Sequence, residues 1–246
     1  MNPRTEIRRY YRALSRAYGP QYWWPARTRF EVIVGAFLTQ NTAWSNVKLA
    51  LRNLRRARVL SVEGVRRIGL AELEQLVRPA GYFRQKALRL KMFVSFLDAE
   101  YGGSLRKMFS QPTPQLRERL LSLNGVGPET ADAILLYAGE HPVFVVDVYA
   151  RRILHRHGIM PASAKYEEIR ELFEKSLNVA HMREESASAV FNQAHALIVQ
   201  VGKRHCKKQA CCQGCPLERF LPRNASPVAQ QLTSKRSHQL YSVDEQ

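Results

Sequence analysis

The stretch LLSLNGVGPETADAILLYA, at residues 120–138, constrains the fold more than any other part of the chain. Apolar residues recur at helical spacing on both sides of Asn-Gly-Val-Gly-Pro, so the pattern predicts two helices joined by a short turn. Gly125 and Gly127 flank Val126; a glycine can take the positive φ of such a turn, and Pro128 suits the first turn of the second helix. We call residues 120–138 the hairpin.

The rest of the chain also has helical periodicity. FEVIVGAFLTQ is apolar enough for a helix buried on several sides, and Thr113 and Pro114 suit a helix cap and its first position. VFVV at 143–146 is β-prone, but four residues make no sheet. The fold class predicted is all-α. Further helices are expected at 5–18, 43–57, 63–67, 70–77, 84–100, 148–157, 165–176 and 185–201.

Charge is the informative part of the composition. The 246 residues include 38 Lys and Arg against 21 Asp and Glu, a net charge of +17. Such an excess indicates a polyanionic partner, most often nucleic acid, because basic side chains release counterions from phosphate. A soluble protein with a basic surface would have the same excess of positive charge. The net charge therefore indicates a class of binding partner but no enzymatic activity.

Several other classes of protein are excluded. No run of about 18 apolar residues occurs, so we expect no membrane span. The N-terminus, MNPRTEIRRYYRALSRAYG, is too charged for a signal peptide, and we expect a cytoplasmic, nucleoid-associated protein. A secreted disulfide scaffold is excluded because all four cysteines fall within ten residues.

Two features of the sequence are candidates for a catalytic residue and a metal site. Asp147, between VFVV and VYARRIL, lies where a helix N-cap would lie; capping alone explains it, and the alternative is a carboxylate at the mouth of a cleft. Four thiols crowded into HCKKQACCQGC argue for a metal, but their spacing cannot separate a zinc site from an iron–sulfur cluster. Free thiols remain an alternative. The four are Cys206, Cys211, Cys212 and Cys215.

The string LNGVGPETADAILLYA followed by VFVVDVYARRI resembles the helix-hairpin-helix, Gly/Pro-rich loop and aspartate signature of the endonuclease III superfamily of DNA glycosylases. FEVIVGAFLTQNTAWSNV, GYFRQKALRLK and FNQAHALIVQVGKRHC resemble further parts of that family, in the same order. The resemblance implies a two-lobed fold. A six-helix barrel would occupy 30–138 and a second lobe 1–29 plus 139–221, with DNA in the cleft between the lobes. From its polar composition, the stretch 222–246 is expected to form a flexible tail.

The resemblance also implies the reaction. Family members break the N-glycosidic bond of a damaged or mismatched base flipped out of duplex DNA. Asp147 would stabilise the positive charge that develops on the deoxyribose, or activate a water. Glu129 stands where the bifunctional members carry a lysine nucleophile, which favours a monofunctional enzyme. The residues expected to contact DNA are Gln40, which would enter the stack vacated by the base, and Asn124, Gly125, Val126, Gly127 and Thr130 of the hairpin.

One subgroup resembles the chain most, the 3-methyladenine DNA glycosylases of endonuclease III-like fold. The shared features are Trp23-Trp24-Pro25 and the aromatic of TQNTAW, which is Trp44. These residues would form the base pocket, since an electron-poor alkylated purine stacks well between electron-rich rings. The expected partner is double-stranded DNA with a damaged base, bound by a monomer that makes no membrane contact.

For the cysteines the resemblance points to a [4Fe–4S] cluster. The family encloses six, two and five residues between successive cysteines; here Cys206 to Cys212 encloses five, Cys212 to Cys215 encloses two, and the last position is Leu221. Cys211 would then be the fourth ligand.

Three other functions remain open for the chain: a bifunctional lyase for oxidised pyrimidines, a mismatch glycosylase for adenine or uracil, and a non-catalytic DNA-binding homologue.

Overall fold

The computed structural model describes residues 2–23, 26–177 and 186–222. Over these residues the chain forms twelve α-helices and no β-strand, which confirms the all-α prediction. In the part described, no helix is both long and apolar enough to cross a membrane. The helices are α1 Pro3–Tyr18, α2 Arg29–Thr39, α3 Trp44–Arg56, α4 Val62–Arg67, α5 Leu70–Val77, α6 Phe83–Tyr101, α7 Leu105–Phe109, α8 Thr113–Leu121, α9 Pro128–Ala133, α10 Val148–Arg156, α11 Tyr166–Leu177 and α12 Ala187–Arg204.

The described residues divide into two compact units. The first unit comprises residues 2–23, 142–177 and 186–222, and the second unit comprises residues 26–141. The division expected from the sequence has its boundaries at 30 and 138. The expected tail, apart from Pro222, lies outside the described residues.

Helix α2 is the central element of the second unit. It is buried without interruption from Phe30 to Leu38, as its apolar sequence predicts, and it packs against α3, α6 and the segment after α9. Thr28 caps its N-terminus, with Oγ1 accepting from the Glu31 N–H at 3.1 Å. The buried Glu31 carboxylate forms an ion pair with Arg55, with 2.5 Å between Oε1 and Nη2. The negative charge of Glu31 is therefore compensated within the core.

The hairpin forms as predicted, from α8 and α9. Gly125 has a φ of 78°, and Val126 anchors the turn in the core with 6% of its surface exposed. A buried ion pair joins the two helices: Arg117 Nε donates to Asp132 Oδ1 at 2.7 Å and Nη2 donates to Oδ2 at 3.1 Å. A two-bond fork of this kind fixes orientation as well as distance. After α9 the chain continues in a wider turn of π-helix, Ile134–Ala138.

The start of α8 corrects one prediction. The helix begins at Thr113 with Pro112 as its N-cap, because the Pro112 carbonyl already accepts from the Leu116 N–H at 3.0 Å. Thr113 is therefore inside the helix and does not cap it. Its hydroxyl instead lies 2.9 Å from Nδ1 of the buried His141.

In the first unit, the β-prone run at 143–146 is a buried, non-helical segment, and no strand lies beside it among the described residues. Side chains of α11 occupy the place of a sheet partner: Glu174 Oε1 accepts from the Phe144 N–H at 2.9 Å, and Tyr166 Oη accepts from the Val146 N–H at 3.2 Å. Phe144 stacks on Phe173 with ring centroids 4.0 Å apart. The segment thus enters α10 in a fixed direction.

Candidate active site

Asp147 is the N-cap of α10 and is 8% exposed. Its Oδ1 accepts a hydrogen bond from the Ala150 N–H at 2.8 Å. The N-terminus of a helix attracts negative charge through its unpaired N–H groups and its dipole. Both interpretations of Asp147 therefore have a physical basis, because the residue caps a helix and also presents a largely buried carboxylate.

The second oxygen of this carboxylate faces a histidine. Oδ2 of Asp147 lies 3.5 Å from Nε2 of His195, on α12. The His195 ring is buried and lies edge-on to Phe144, with ring centroids 6.1 Å apart. His195 is not among the site residues that the sequence predicts. A polar residue on the buried face of the apolar run FNQAHALIVQ is the only signal that could have indicated it.

The turn of the hairpin presents backbone and small side chains. Asn124, Gly127, Pro128 and Glu129 are exposed, whereas Thr130 is buried. Glu129 lies in the first turn of α9, where a carboxylate suits the helix dipole. A glutamate offers no amine at that position, and its correspondence with the lyase lysine stays a prediction from the resemblance.

Gln40 is brought to this hairpin. Its Nε2 donates to the Gly125 carbonyl at 3.0 Å and to Thr130 Oγ1 at 2.9 Å. Arg89 Nη1 donates to Gln40 Oε1 at 2.5 Å. The structure thus brings together three of the residues that are predicted to contact DNA, and Arg89, which no sequence motif indicated as a site residue, lies against them.

The predicted base pocket is described only in part. Trp44 begins α3 and is half-buried in the second unit. Trp23 is half-buried in the first unit, with Lys203 Nζ 5.5 Å from its ring centroid. Trp24 and Pro25 lie outside the described residues, so the pocket stays a prediction.

Three of the four cysteines line one small cavity. Cys206, Cys212 and Cys215 lie around it together with Leu221, whereas Cys211 is exposed and does not line it. Burial raises the pKa of the Cys215 thiol to about 11. Among the residues described, no three His, Cys, Asp or Glu side chains are grouped closely enough to hold one metal ion. Three thiols therefore share one cavity and the fourth lies outside it, and the [4Fe–4S] cluster stays a prediction from the resemblance.

Two arginines of α10 hold the segment 206–215, which contains the four cysteines and which we call the cysteine loop. Arg156 Nη1 donates to Cys206 Sγ at 3.1 Å and to the Lys207 carbonyl at 2.7 Å, and its Nη2 donates to the Lys208 carbonyl at 2.6 Å. Arg152 Nη1 donates to the Cys206 carbonyl at 2.8 Å. The helix that carries Asp147 at one end is thus joined to the cysteine loop at the other.

Comparison with known proteins gives the family. The model of the HhH-GPD superfamily of base excision DNA repair proteins matches residues 34–178. A protein of Methanocaldococcus jannaschii named "Putative DNA repair glycosylase" is 43% identical over 215 residues, which is 87% of this chain and 94% of the relative. The endonuclease III of Thermotoga maritima is 28% identical over 190 residues, covering 77% of this chain and 80% of the relative.

Solved structures agree. The H. pylori 3-methyladenine DNA glycosylase bound to 1,N6-ethenoadenine matches with a TM-score of 0.72 and 31% identity, over 83% of this chain and 98% of that chain. A non-covalent endonuclease III–DNA complex matches with a TM-score of 0.71 and 23% identity, over 96% of this chain and 100% of that chain, which supports the fold alone. The resemblance read from the sequence is confirmed, and the chain belongs to the HhH-GPD superfamily of base excision DNA repair proteins.

Proposed function

We propose that this chain is a monofunctional DNA N-glycosylase that hydrolyses the bond between deoxyribose and an alkylated purine, with 3-methyladenine as the favoured base. The observation that carries the proposal is the buried Asp147 carboxylate, whose two oxygens face the Ala150 N–H and the His195 imidazole. A carboxylate held in one orientation and largely out of water suits the stabilisation of a nearby cation.

The reaction follows from that carboxylate. As the bond to the base breaks, its electron pair leaves with the base and positive charge develops on the deoxyribose ring. The Asp147 anion stabilises this charge more strongly in a site of low dielectric than it would in water. Because 3-methyladenine is cationic while it is attached to deoxyribose, it leaves with the electron pair as the neutral base and needs no proton. Water then adds to the anomeric carbon and loses a proton to Asp147 acting as general base, and Asp147 passes that proton to solvent.

Two features support the DNA substrate. The net charge of +17 suits a polyanion. The exposed turn of the hairpin presents glycine backbone where a phosphate can approach closely, with Gly125 in the left-handed region at φ 78°. We propose that this turn holds a DNA phosphate, with Gln40 and Thr130 beside it.

The choice of an alkylated purine as the substrate base is supported by the chemistry of stacking on tryptophan and by one relative. An alkylated purine is electron-poor and stacks favourably on tryptophan, and Trp23 and Trp44 are both half-buried with part of their surface accessible. The H. pylori relative, at 31% identity, is a 3-methyladenine DNA glycosylase with a modified adenine bound.

Monofunctional chemistry is supported by Glu129. A lyase of the endonuclease III type forms an imine between a lysine and the opened sugar, and a carboxylate cannot form that bond. The [4Fe–4S] cluster remains a prediction from the resemblance, and no step of the proposed reaction passes through it.

The test is to identify the released base. The purified full chain is incubated with duplexes that each carry one lesion: 3-methyladenine, 1,N6-ethenoadenine, an oxidised pyrimidine or a mismatched uracil. We expect release of free 3-methyladenine by chromatography, and strand breaks only after alkali. Release of only the oxidised pyrimidine, with strand breaks before alkali, would contradict both the substrate and the monofunctional reaction.

A further inference from the structure

The side-chain amide of Gln40 makes three hydrogen bonds within the second unit. An amide has two N–H donors and one carbonyl acceptor. Both donors are used, to the Gly125 carbonyl at 3.0 Å and to Thr130 Oγ1 at 2.9 Å, and the oxygen accepts from Arg89 at 2.5 Å. Three hydrogen bonds in three directions leave the group a single orientation.

Arg89 also lies against the turn of the hairpin. A Cβ placed on Gly125 would come within 2.1 Å of Arg89 Nε and 2.5 Å of its Cζ. Gly125 is therefore required by its φ of 78°, and a side chain at this position would also displace the Arg89 guanidinium. The planar guanidinium can lie along the backbone while Nη1 reaches Gln40, a geometry that the point charge of a lysine would not reproduce.

The backbone beneath Gln40 is fixed from the same helix. Lys86, one turn before Arg89 on α6, is 1% exposed, and its Nζ donates to the carbonyls of Leu38 at 2.9 Å and Ala80 at 2.7 Å. Leu38 lies in the last turn of α2, two residues before Gln40. Two basic residues of α6 thus act on this region: Lys86 holds the backbone at Leu38, and Arg89 holds the Gln40 side chain.

We propose that Arg89 is a positioning residue that holds the Gln40 amide against the turn of the hairpin, so that the hairpin and Gln40 bind DNA together. The proposal rests on the proposed function, because it assigns Arg89 a place in damaged-DNA recognition. Without Arg89, the Gln40 oxygen loses its donor and the amide can rotate away from Gly125. The hairpin would still meet phosphate, but the chain would distinguish a damaged site less well.

The first test compares two duplexes of one sequence, one undamaged and one with a tetrahydrofuran abasic-site analogue. Binding of the full chain is measured for Arg89→Met, Gln40→Ala and the double variant, with Arg52→Met as a control for loss of one exposed charge. We expect Arg89→Met to weaken binding to the abasic-site duplex about 10-fold and binding to the undamaged duplex less than about 2-fold, and Gln40→Ala to add little in the double variant.

A simple phosphate contact predicts a different result. Arg89→Met would then weaken binding to both duplexes equally. It would also lower the slope of the logarithm of the binding constant against the logarithm of the salt concentration by about one. Arg52→Met would have the same effects if Arg52 contacted DNA. Equal weakening by Arg89→Met, or additive effects of the Arg89 and Gln40 substitutions, would overturn the proposal.

The second test needs no DNA. In a ¹⁵N spectrum of the free protein, we expect the Gln40 side-chain NH₂ pair, assigned by its loss in Gln40→Ala, to lie apart from the positions of solvent-exposed glutamines. Arg89→Met should move it toward those positions and Arg52→Met should leave it unchanged; an unchanged pair in Arg89→Met would overturn the proposal. If the spectra behave as expected but the wild-type chain binds neither duplex, the proposed function is wrong and the link between Arg89 and Gln40 stands.

Discussion

Oδ2 of Asp147 lies 3.5 Å from Nε2 of His195, while Oδ1 of the same carboxylate accepts the Ala150 N–H at 2.8 Å. The two contacts come from different helices, α10 and α12, and both residues are buried. The capping bond holds Oδ1 at the start of α10, and the His195 imidazole lies beside the second oxygen.

The first prediction concerns His195→Ala. We expect the rate of base release from saturating substrate to fall about 10-fold to 100-fold with little change in DNA affinity, because a misplaced carboxylate costs transition-state stabilisation and leaves uniform binding intact. His195→Asn, which keeps a polar group at the position, should recover part of the rate. Single-turnover kinetics and equilibrium binding measure the two quantities.

His155→Ala, at a half-buried position of α10, is the control. It should leave the single-turnover rate within about 2-fold of wild type, as substitutions away from a reacting group do. A rate for His195→Ala as high as that of the control would refute a positioning role for His195.

The second prediction concerns Glu129. Borohydride reduces an imine between protein and opened sugar to a stable adduct, and Glu129 supplies no amine for that imine. We expect no trapped protein–DNA adduct with the wild-type chain, and a trapped adduct with Glu129→Lys but not with Glu118→Lys on α8. Adducts are counted by gel electrophoresis. A wild-type adduct as abundant as that of Glu129→Lys would show that another amine performs lyase chemistry.

The third prediction is a loss of stability in acid through His157. Burial lowers the pKa of His157 to about 4, Arg156 acts in the same direction, and a backbone hydrogen bond and Glu6 oppose the shift. Between that value and the ordinary pKa of about 6.5, the unfolded chain binds a proton that the folded chain does not. Stability contributed by neutral His157 is therefore present near neutral pH and is lost as pH falls below about 6.5.

Urea unfolding measures this loss. From pH 7 to pH 5 we expect about 2 kcal/mol to be lost through His157. Neutral His157 lies 2.8 Å from the Tyr10 hydroxyl, so His157→Gln should be less stable than wild type at pH 7 but should lose less on acidification. The variant should keep a smaller pH dependence, since burial also lowers the pKa of His141. An unchanged pH dependence in His157→Gln would contradict the assignment.

The fourth prediction concerns the cysteine loop. Leu221 lines the same cavity as Cys206, Cys212 and Cys215, so Leu221→Cys would place a fourth thiol there. We expect the anaerobically purified variant to contain about four irons and four sulfides per chain, since cysteine thiolates are the ligands of such clusters, and the wild-type chain to contain fewer. Leu70→Cys, an exposed position, should match the wild type. Four irons per wild-type chain would mean that Cys211 completes the site.

Local spacing was sufficient to predict the fold class, the turn at Gly125 and the N-cap at Asp147. Each depends on residues a few positions apart, where helix and turn preferences act directly. The contacts of Asp147 with His195 and of Gln40 with Arg89, the latter 49 residues apart, depend on how helices pack, and no local pattern encodes them. The run at 143–146 shows the limit from the other side: its β-propensity is real, but Glu174 and Tyr166 take the place of a neighbouring strand.

The most direct test of the central claim is the single-turnover rate of base release by Asp147→Asn from a duplex carrying the released lesion, measured beside binding to the same duplex. An amide keeps the shape and the capping oxygen but not the negative charge. Asp98→Asn, at an exposed surface ion pair, is the control. We expect Asp147→Asn to bind within about 3-fold of wild type and to release base at least about 1000-fold more slowly, because the charge acts only in the transition state. Release at the rate of the control would contradict the assignment of Asp147 as the catalytic residue.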